Sequence, residues 1–123
     1  MRWVARVRVD GIAAAHHLPG YPGDCARPHG HNWCLEAEVG AETLHADMVV
    51  DFALVKGVFK ALDHTDLNDD PELTADGRRP TTERLCEVLA ARLQAVLADL
   101  PNRPRVLSVT VRETDRNKVT FTP

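Results

Sequence analysis

The order of periodicities along this chain predicts an α+β domain. Strand, strand, helix, helix, strand, strand is read, giving an antiparallel four-stranded sheet (β-β-α-α-β-β) with two helices packed on one face. Three observations predict it. Apolar and polar residues alternate with period two in the first forty residues. Two later stretches carry apolar residues at helical spacing. A β-rich run closes the chain. Strands gathered at both ends with helices between them fit an antiparallel sheet better than alternating parallel units.

In residues 2–10, Trp3, Ala5, Val7 and Val9 point one way, and Arg6, Arg8 and Asp10 the other, which predicts a half-buried strand. It continues into Ala13-Ala14-Ala15-His16-His17-Leu18. Pro19-Gly20-Tyr21-Pro22-Gly23-Asp24 then carries turn chemistry. Trp33, Leu35, Ala37 and Val39 alternate with Cys34, Glu36 and Glu38 in a second strand. Asp51 can cap a helix opening at Phe52, with Phe52, Val55, Phe59 and Leu62 on its apolar face, ending near Asp63-His64. Residues 68–80 read as an exposed loop. Thr81 or Thr82 can cap a second helix, favoured by Glu83 and Glu87 near its positive end. Leu85, Leu89, Leu93, Val96 and Leu100 form its stripe, and Pro101 stops it. Val106, Val109 and Val111 belong to a third strand ending at Arg112-Glu113-Thr114, and 118–121 to a fourth.

At 123 residues the chain suits a single domain, 1–123. A net charge of −3 argues against a nucleic-acid binder built on a broad basic face. No run approaches the roughly 20 apolar residues of a membrane span, and the first residues lack the apolar core of a signal peptide. Three cysteines without a CxxC pair are poor evidence for a disulfide framework. A reducing cytoplasm is therefore the expected compartment. The many Ala, Arg and Asp residues suggest GC-rich coding and a bacterial source.

Chemistry concentrates in three places: His16, Cys25-Ala-Arg-Pro-His29-Gly-His31, and Asp63-His64. Alternate residues of an extended segment share a face, so His29 and His31 can reach one metal. Pairing in a sheet can bring His16 beside them. His17 competes for that role, but its side chain should point to the other face. Cys25 is open to three readings: a fourth zinc ligand, a catalytic thiolate, or an inert small hydrophobe. Asp63 beside His64 either sets that imidazole's tautomer and basicity or reflects helix-end electrostatics. Glu113 is an exposed end charge or a carboxylate suited to the donor edge of a guanine-like ring. Cys34 and Cys86 lack an obvious partner, Arg78 and Arg79 read as solvated loop charges, and His45 as a surface residue.

Taken together these pieces resemble the 6-pyruvoyltetrahydropterin synthase and 6-carboxytetrahydropterin synthase family. The resemblance runs from Ile12 to Thr114. It is carried by Ala14-Ala15-His16-His17-Leu18, Cys25-x-x-x-His29-Gly-His31-Asn32, Val49-Val50-Asp51-Phe52, Leu62-Asp63-His64-x-x-Leu67-Asn68, Pro80-Thr81-Thr82-Glu83 and Glu113-Thr114. It implies the tunnelling fold and an assembly of two stacked trimers, a homohexamer with active sites between subunits. It implies a zinc ion on His16, His29 and His31, and Cys25 as catalytic base with Asp63 and His64 as its proton-transfer partners, from a neighbouring subunit. It also implies Glu113 as anchor of the pterin ring, helped by Thr81, Thr82 and Glu83.

The implied substrate is 7,8-dihydroneopterin triphosphate. In the carboxy branch it becomes 6-carboxy-5,6,7,8-tetrahydropterin with release of acetaldehyde and triphosphate, a lyase reaction serving 7-deazaguanine compounds such as queuosine. The pyruvoyl branch eliminates triphosphate without releasing acetaldehyde, and the shared motifs do not separate the two. A bacterial source favours the first. Ile12 and Trp33 replace the family's usual aromatics, a matter of packing. Ala26 stands where a folate-associated subfamily carries a glutamate, and its presence beside Cys25 argues against that subfamily. A third reading is a non-catalytic zinc-stabilised module, in which Cys25 and the three histidines close a tetrahedral site.

Overall fold

The computed structural model describes residues 1–123. Its first two strands, β1 (Trp3–His16) and β2 (His29–Ala41), pair antiparallel over nearly their whole length. Their register has one break: Val9 faces Leu35 and Ile12 faces Trp33, so β1 spends one residue more than β2 between these pairs. This is a β-bulge, and Gly11 within it has φ +71°, a left-handed conformation that glycine adopts without the Cβ penalty. The bulge reverses the phase of the strand. Val7 is buried before it; Ile12, Ala14 and His16 are buried after it. Without the extra residue, His16 would face away from the helices.

β4 (Arg105–Thr114) pairs with the other edge of β2, and β5 (Asn117–Phe121) completes the hairpin. A second bulge lies on β4: Val106 faces Val39 and Ser108 faces Glu38, leaving Leu107 extra. Core positions then run through Val109 and Val111, and continuing that phase brings Glu113 to the same face.

The four long strands are antiparallel, as expected, but the sheet has a fifth member. β3 (Thr65–Asp66) runs parallel to β1 at its edge, giving the order β3-β1-β2-β4-β5 and a mixed sheet. Two exposed polar residues have no alternation to read, so nothing in the sequence distinguishes them from loop.

Helices α1 (Phe52–Lys60) and α2 (Thr82–Leu97) cover one face of the sheet, α1 over β1 and α2 over β4 and β5. The Asp51 carboxylate accepts the Ala53 N–H at 2.9 Å, and the Thr81 hydroxyl accepts the Arg84 N–H at 3.1 Å, so both expected caps are present. Val55, Phe59 and Leu62 enter the core, whereas Phe52 stays 55% exposed. Leu85, Leu89, Leu93 and Leu97 are fully buried, and Leu97 takes the place expected of Val96. Each such leucine stabilises the fold by about 1.5–3 kcal/mol through burial. No helix is long and apolar enough to cross a membrane.

Candidate active site and metal centre

β1 and β2 end together, and their pairing places His16 directly opposite His29, with His31 opposite Ala14. Period-two geometry puts His29, His31 and Trp33 on the helix-facing side of β2. The β1 bulge brings His16 to the same side. The imidazole centroids stand 4.5 Å (His16–His29), 4.9 Å (His29–His31) and 5.2 Å (His16–His31) apart. The Trp33 ring packs edge-on against His16 and His31, and its indole N–H donates to the Ala14 carbonyl at 3.1 Å.

Hydrogen bonds fix two of the rings. His16 Nδ1 lies 2.9 Å from the Pro80 carbonyl, and His29 Nδ1 lies 2.7 Å from the Arg27 carbonyl. A carbonyl can only accept, so each Nδ1 carries the proton and each Nε2 presents a lone pair. Glu113 completes the group: its Oε1 is 2.7 Å from His31 Nε2 and 3.4 Å from His16 Nε2, while Oε2 accepts the Thr82 hydroxyl at 3.2 Å. One ligand atom from each of His16, His29, His31 and Glu113 lies within 4.8 Å of the others.

The Nε2 atoms of His16 and His31 are sealed from solvent and make no well-directed hydrogen bond, since Glu113 Oε1 is near both but out of line. His16 combines a buried, unpartnered Nε2 with an Nδ1 anchored on a backbone carbonyl, which is the arrangement of a metal-ligating histidine. The donor set fits a divalent metal. Burial holds the His31 imidazole below its usual pKa, and charge on His16 and His29 adds to this, while Glu113 opposes it. A neutral imidazole is the form that binds metal.

Cys25 lies outside this group. It is exposed on a 3-10 turn (Asp24–Ala26), and the Leu18 N–H donates to its carbonyl at 2.7 Å, holding the turn against the end of β1. Asp63 and His64 follow α1. Asp63 Oδ2 is 3.0 Å from His64 Nδ1, and Oδ1 accepts the Ala13 N–H at 2.8 Å. That backbone bond, more than the His64 charge, holds the Asp63 carboxyl below its ordinary pKa. The His64 side chain is 84% exposed. It lines an open cavity of about 740 Å3 together with His31, Glu113 and Thr114.

Among the remaining candidates, Thr82 touches Glu113, Thr81 is the α2 cap, and Glu83 is exposed in the first helical turn. Cys34 and Cys86 are buried, and burial pushes both thiols up to about 11. Arg78 pairs with Glu87 at 3.3 Å, and Arg79 and His45 are exposed. Glu113 as a neighbour of the imidazoles, and Pro80 as the acceptor for His16, were not foreseen. For Glu113 a signal existed: it continues the apolar phase of Val109 and Val111 with a charge. For a backbone carbonyl there is none.

The sequence profile of the family described as 6-pyruvoyl tetrahydropterin synthase matches residues 6–123. The chain belongs to that family. It is accordingly an enzyme of tetrahydropterin synthesis. The chain is 34% identical over 117 residues to the 6-carboxy-5,6,7,8-tetrahydropterin synthase of Bacillus subtilis, covering 91% of this chain and 80% of that one. It is 33% identical over 111 residues to the protein of the same name from Synechocystis, covering 82% and 79%. Among solved structures, the 6-pyruvoyl tetrahydropterin synthase of Caenorhabditis elegans superposes with a TM-score of 0.75 at 24% identity, covering 98% of this chain and 96% of that one. That likeness speaks for the fold.

Proposed function

We propose that this protein is a zinc-dependent 6-carboxy-5,6,7,8-tetrahydropterin synthase, a lyase acting on 7,8-dihydroneopterin triphosphate and yielding the carboxypterin, acetaldehyde and triphosphate. The observation that carries the reading is the convergence of His16, His29 and His31 with Glu113 at one end of the sheet. Relatives bearing the carboxy synthase name support this branch over the pyruvoyl one. The product feeds 7-deazaguanine synthesis of the queuosine type.

In this reading His16, His29 and His31 hold the zinc, which when bound acts as a Lewis acid on the substrate's side-chain hydroxyls. Cys25, outside the ligand group, removes a proton from the side chain as thiolate. His64 Nδ1–H donates a hydrogen bond to the Asp63 carboxylate, which leaves Nε2 free to exchange a second proton. Glu113 accepts two hydrogen bonds from the ring's amino group and adjacent N–H. Thr82 holds that carboxylate from behind, and Thr81 and Glu83 border the same helix start. A tetrahedral site closed by Cys25 is disfavoured, because an exposed Cys25 stands apart from the imidazoles.

The exposed His64 needs cover if its proton is not to be lost to bulk water. We assign that cover to a neighbouring subunit in a homohexamer of two trimers. Residues 3–12 of β1 have no partner on one edge, and Trp3, Val4, Phe52 and Leu54 are exposed, which gives such an assembly sheet edges and apolar surface to bury. The compartment is the cytoplasm. The test is to incubate the zinc-loaded protein with the triphosphate and weigh the products. The carboxypterin with acetaldehyde is expected; a pyruvoyl product without acetaldehyde would overturn the assignment.

A further inference from the structure

Asn68 has no part in the chemistry above, yet its side chain is bonded on both sides to the chain beside His16. The His17 N–H donates to Asn68 Oδ1 at 2.8 Å, and Asn68 Nδ2 donates to the His17 carbonyl at 3.0 Å. A primary amide offering C=O and N–H together reproduces what a neighbouring strand's backbone offers. It does so where that strand has ended.

The rest of the segment follows the same edge. The Ala13 N–H donates to Asp63 Oδ1 at 2.8 Å, and the His64 N–H donates to the Ala13 carbonyl at 2.6 Å. Ala14 then pairs with Thr65 and Ala15 with Asp66 in β3. Asp63 at one end and Asn68 at the other thus lengthen a two-residue strand into a clasp along β1 from Ala13 to His17. His16 lies inside this span, and its ring is set from the other side by the Pro80 carbonyl.

Fixing Ala15 and His17 on the free edge leaves the His16 backbone little freedom. An imidazole in a metal group must be held to a fraction of an ångström. We infer that Asn68 is a positioning residue for the metal centre, acting on His16 through the backbone of His17. This rests on the reading of His16 as a metal ligand. Partners bonded directly to a ligand change metal affinity by about 10–100-fold when removed, and Asn68, one residue away, acts on the same ring through the backbone.

The test is zinc affinity, by competition with a chromogenic chelator, of the wild type, Asn68→Ala and Asn68→Asp. Asn102→Ala is the control. Asn102 also donates to two backbone carbonyls, of Thr43 and Val49, but remote from the imidazoles, so it measures what losing a comparable amide does to stability alone. Asn68→Ala should weaken zinc binding by about 10–100-fold and alter the absorption bands of the cobalt-substituted protein. Asn68→Asp keeps the acceptor for His17 and should fall between it and the wild type. Asn102→Ala should match the wild type in affinity while melting lower. Equal zinc affinity in the wild type and Asn68→Ala would overturn the inference alone, as would an equal loss in Asn68→Ala and Asn102→Ala. A wild type that takes up no zinc would overturn the metal reading and this inference with it.

Discussion

The phase of β1 makes a quantitative prediction about Gly11. At φ +71°, any other residue meets left-handed strain of about 1–2 kcal/mol, and nothing lies within 4 Å of where a Cβ would stand, so strain is the whole cost of Gly11→Ala. For a domain between the 100- and 150-residue classes this corresponds to a fall in Tm of roughly 3–8 °C. Metal binding should be unchanged, because the extra residue is still there. Deleting Gly11 is a different perturbation. One half of β1 must then turn over: either Val7, now 3% exposed, leaves the core, or Ile12, Ala14 and His16, at 3%, 5% and 3%, do. Exposing Ile12 alone costs about 1.5–3 kcal/mol, and moving His16 removes one of the three imidazoles proposed to hold the metal. The assay pairs thermal unfolding with zinc stoichiometry. Gly11→Ala should melt lower and hold one zinc per chain; the deletion should melt lower whichever half turns over, and should lose zinc where the half carrying His16 does. A deletion variant that melts with the wild type and binds zinc equally would refute the claim that the bulge aims His16.

Three further outcomes follow from the same geometry. Cys25→Ala should retain zinc and lose about 10²–10⁴-fold in turnover, the usual contribution of a general base, read by metal analysis beside the product assay. Iodoacetamide at neutral pH should modify Cys25 and spare Cys34 and Cys86, whose thiols are pushed up to about 11 and buried; mass spectrometry should count one adduct per folded chain. The Asp63 carboxyl titrates below its ordinary value, 3.8, in the folded state. Its stabilising effect is therefore fully present above that value and lost as pH falls through the lower folded one. Metal-free wild type should lose Tm over that acid window more steeply than Asp63→Asn, and identical profiles would remove the Ala13 bond as the cause.

The four long strands, both helices and their caps were legible because each repeats a period or a capping residue over several positions. The convergence of His29 and His31 was legible for a related reason: an HxH in an extended segment must present both rings to one side. What escaped reading consists of single residues. Gly11 carries no period of its own, and only the pairing of Val9 with Leu35 and Ile12 with Trp33 exposes the extra step. The apparent rule that Trp3, Ala5, Val7 and Val9 share a face holds only up to that step, and extrapolated past it would have placed His16 outward. β3 escaped because its bonding is completed by side chains, Asp63 and Asn68, that a backbone periodicity cannot register.

The same two devices that evaded the sequence reading set the site's geometry. The bulge decides which face of β1 carries His16, and the clasp from Asp63 to Asn68 holds that end of the strand in place. Because Asp63 bonds Ala13 with one oxygen and sits against His64 with the other, the pair proposed for proton transfer and the end of β1 that carries His16 share one connection. Any substitution that frees Asp63 from Ala13 therefore loosens both at once. Proton transfer and metal affinity should fall together in Asp63→Ala, whereas His64→Ala, which leaves the Ala13 bond intact, should lower turnover and leave zinc affinity where it was. Turnover and chelator competition on the two variants separate these outcomes, and a zinc affinity unaltered in Asp63→Ala would show that the connection transmits nothing.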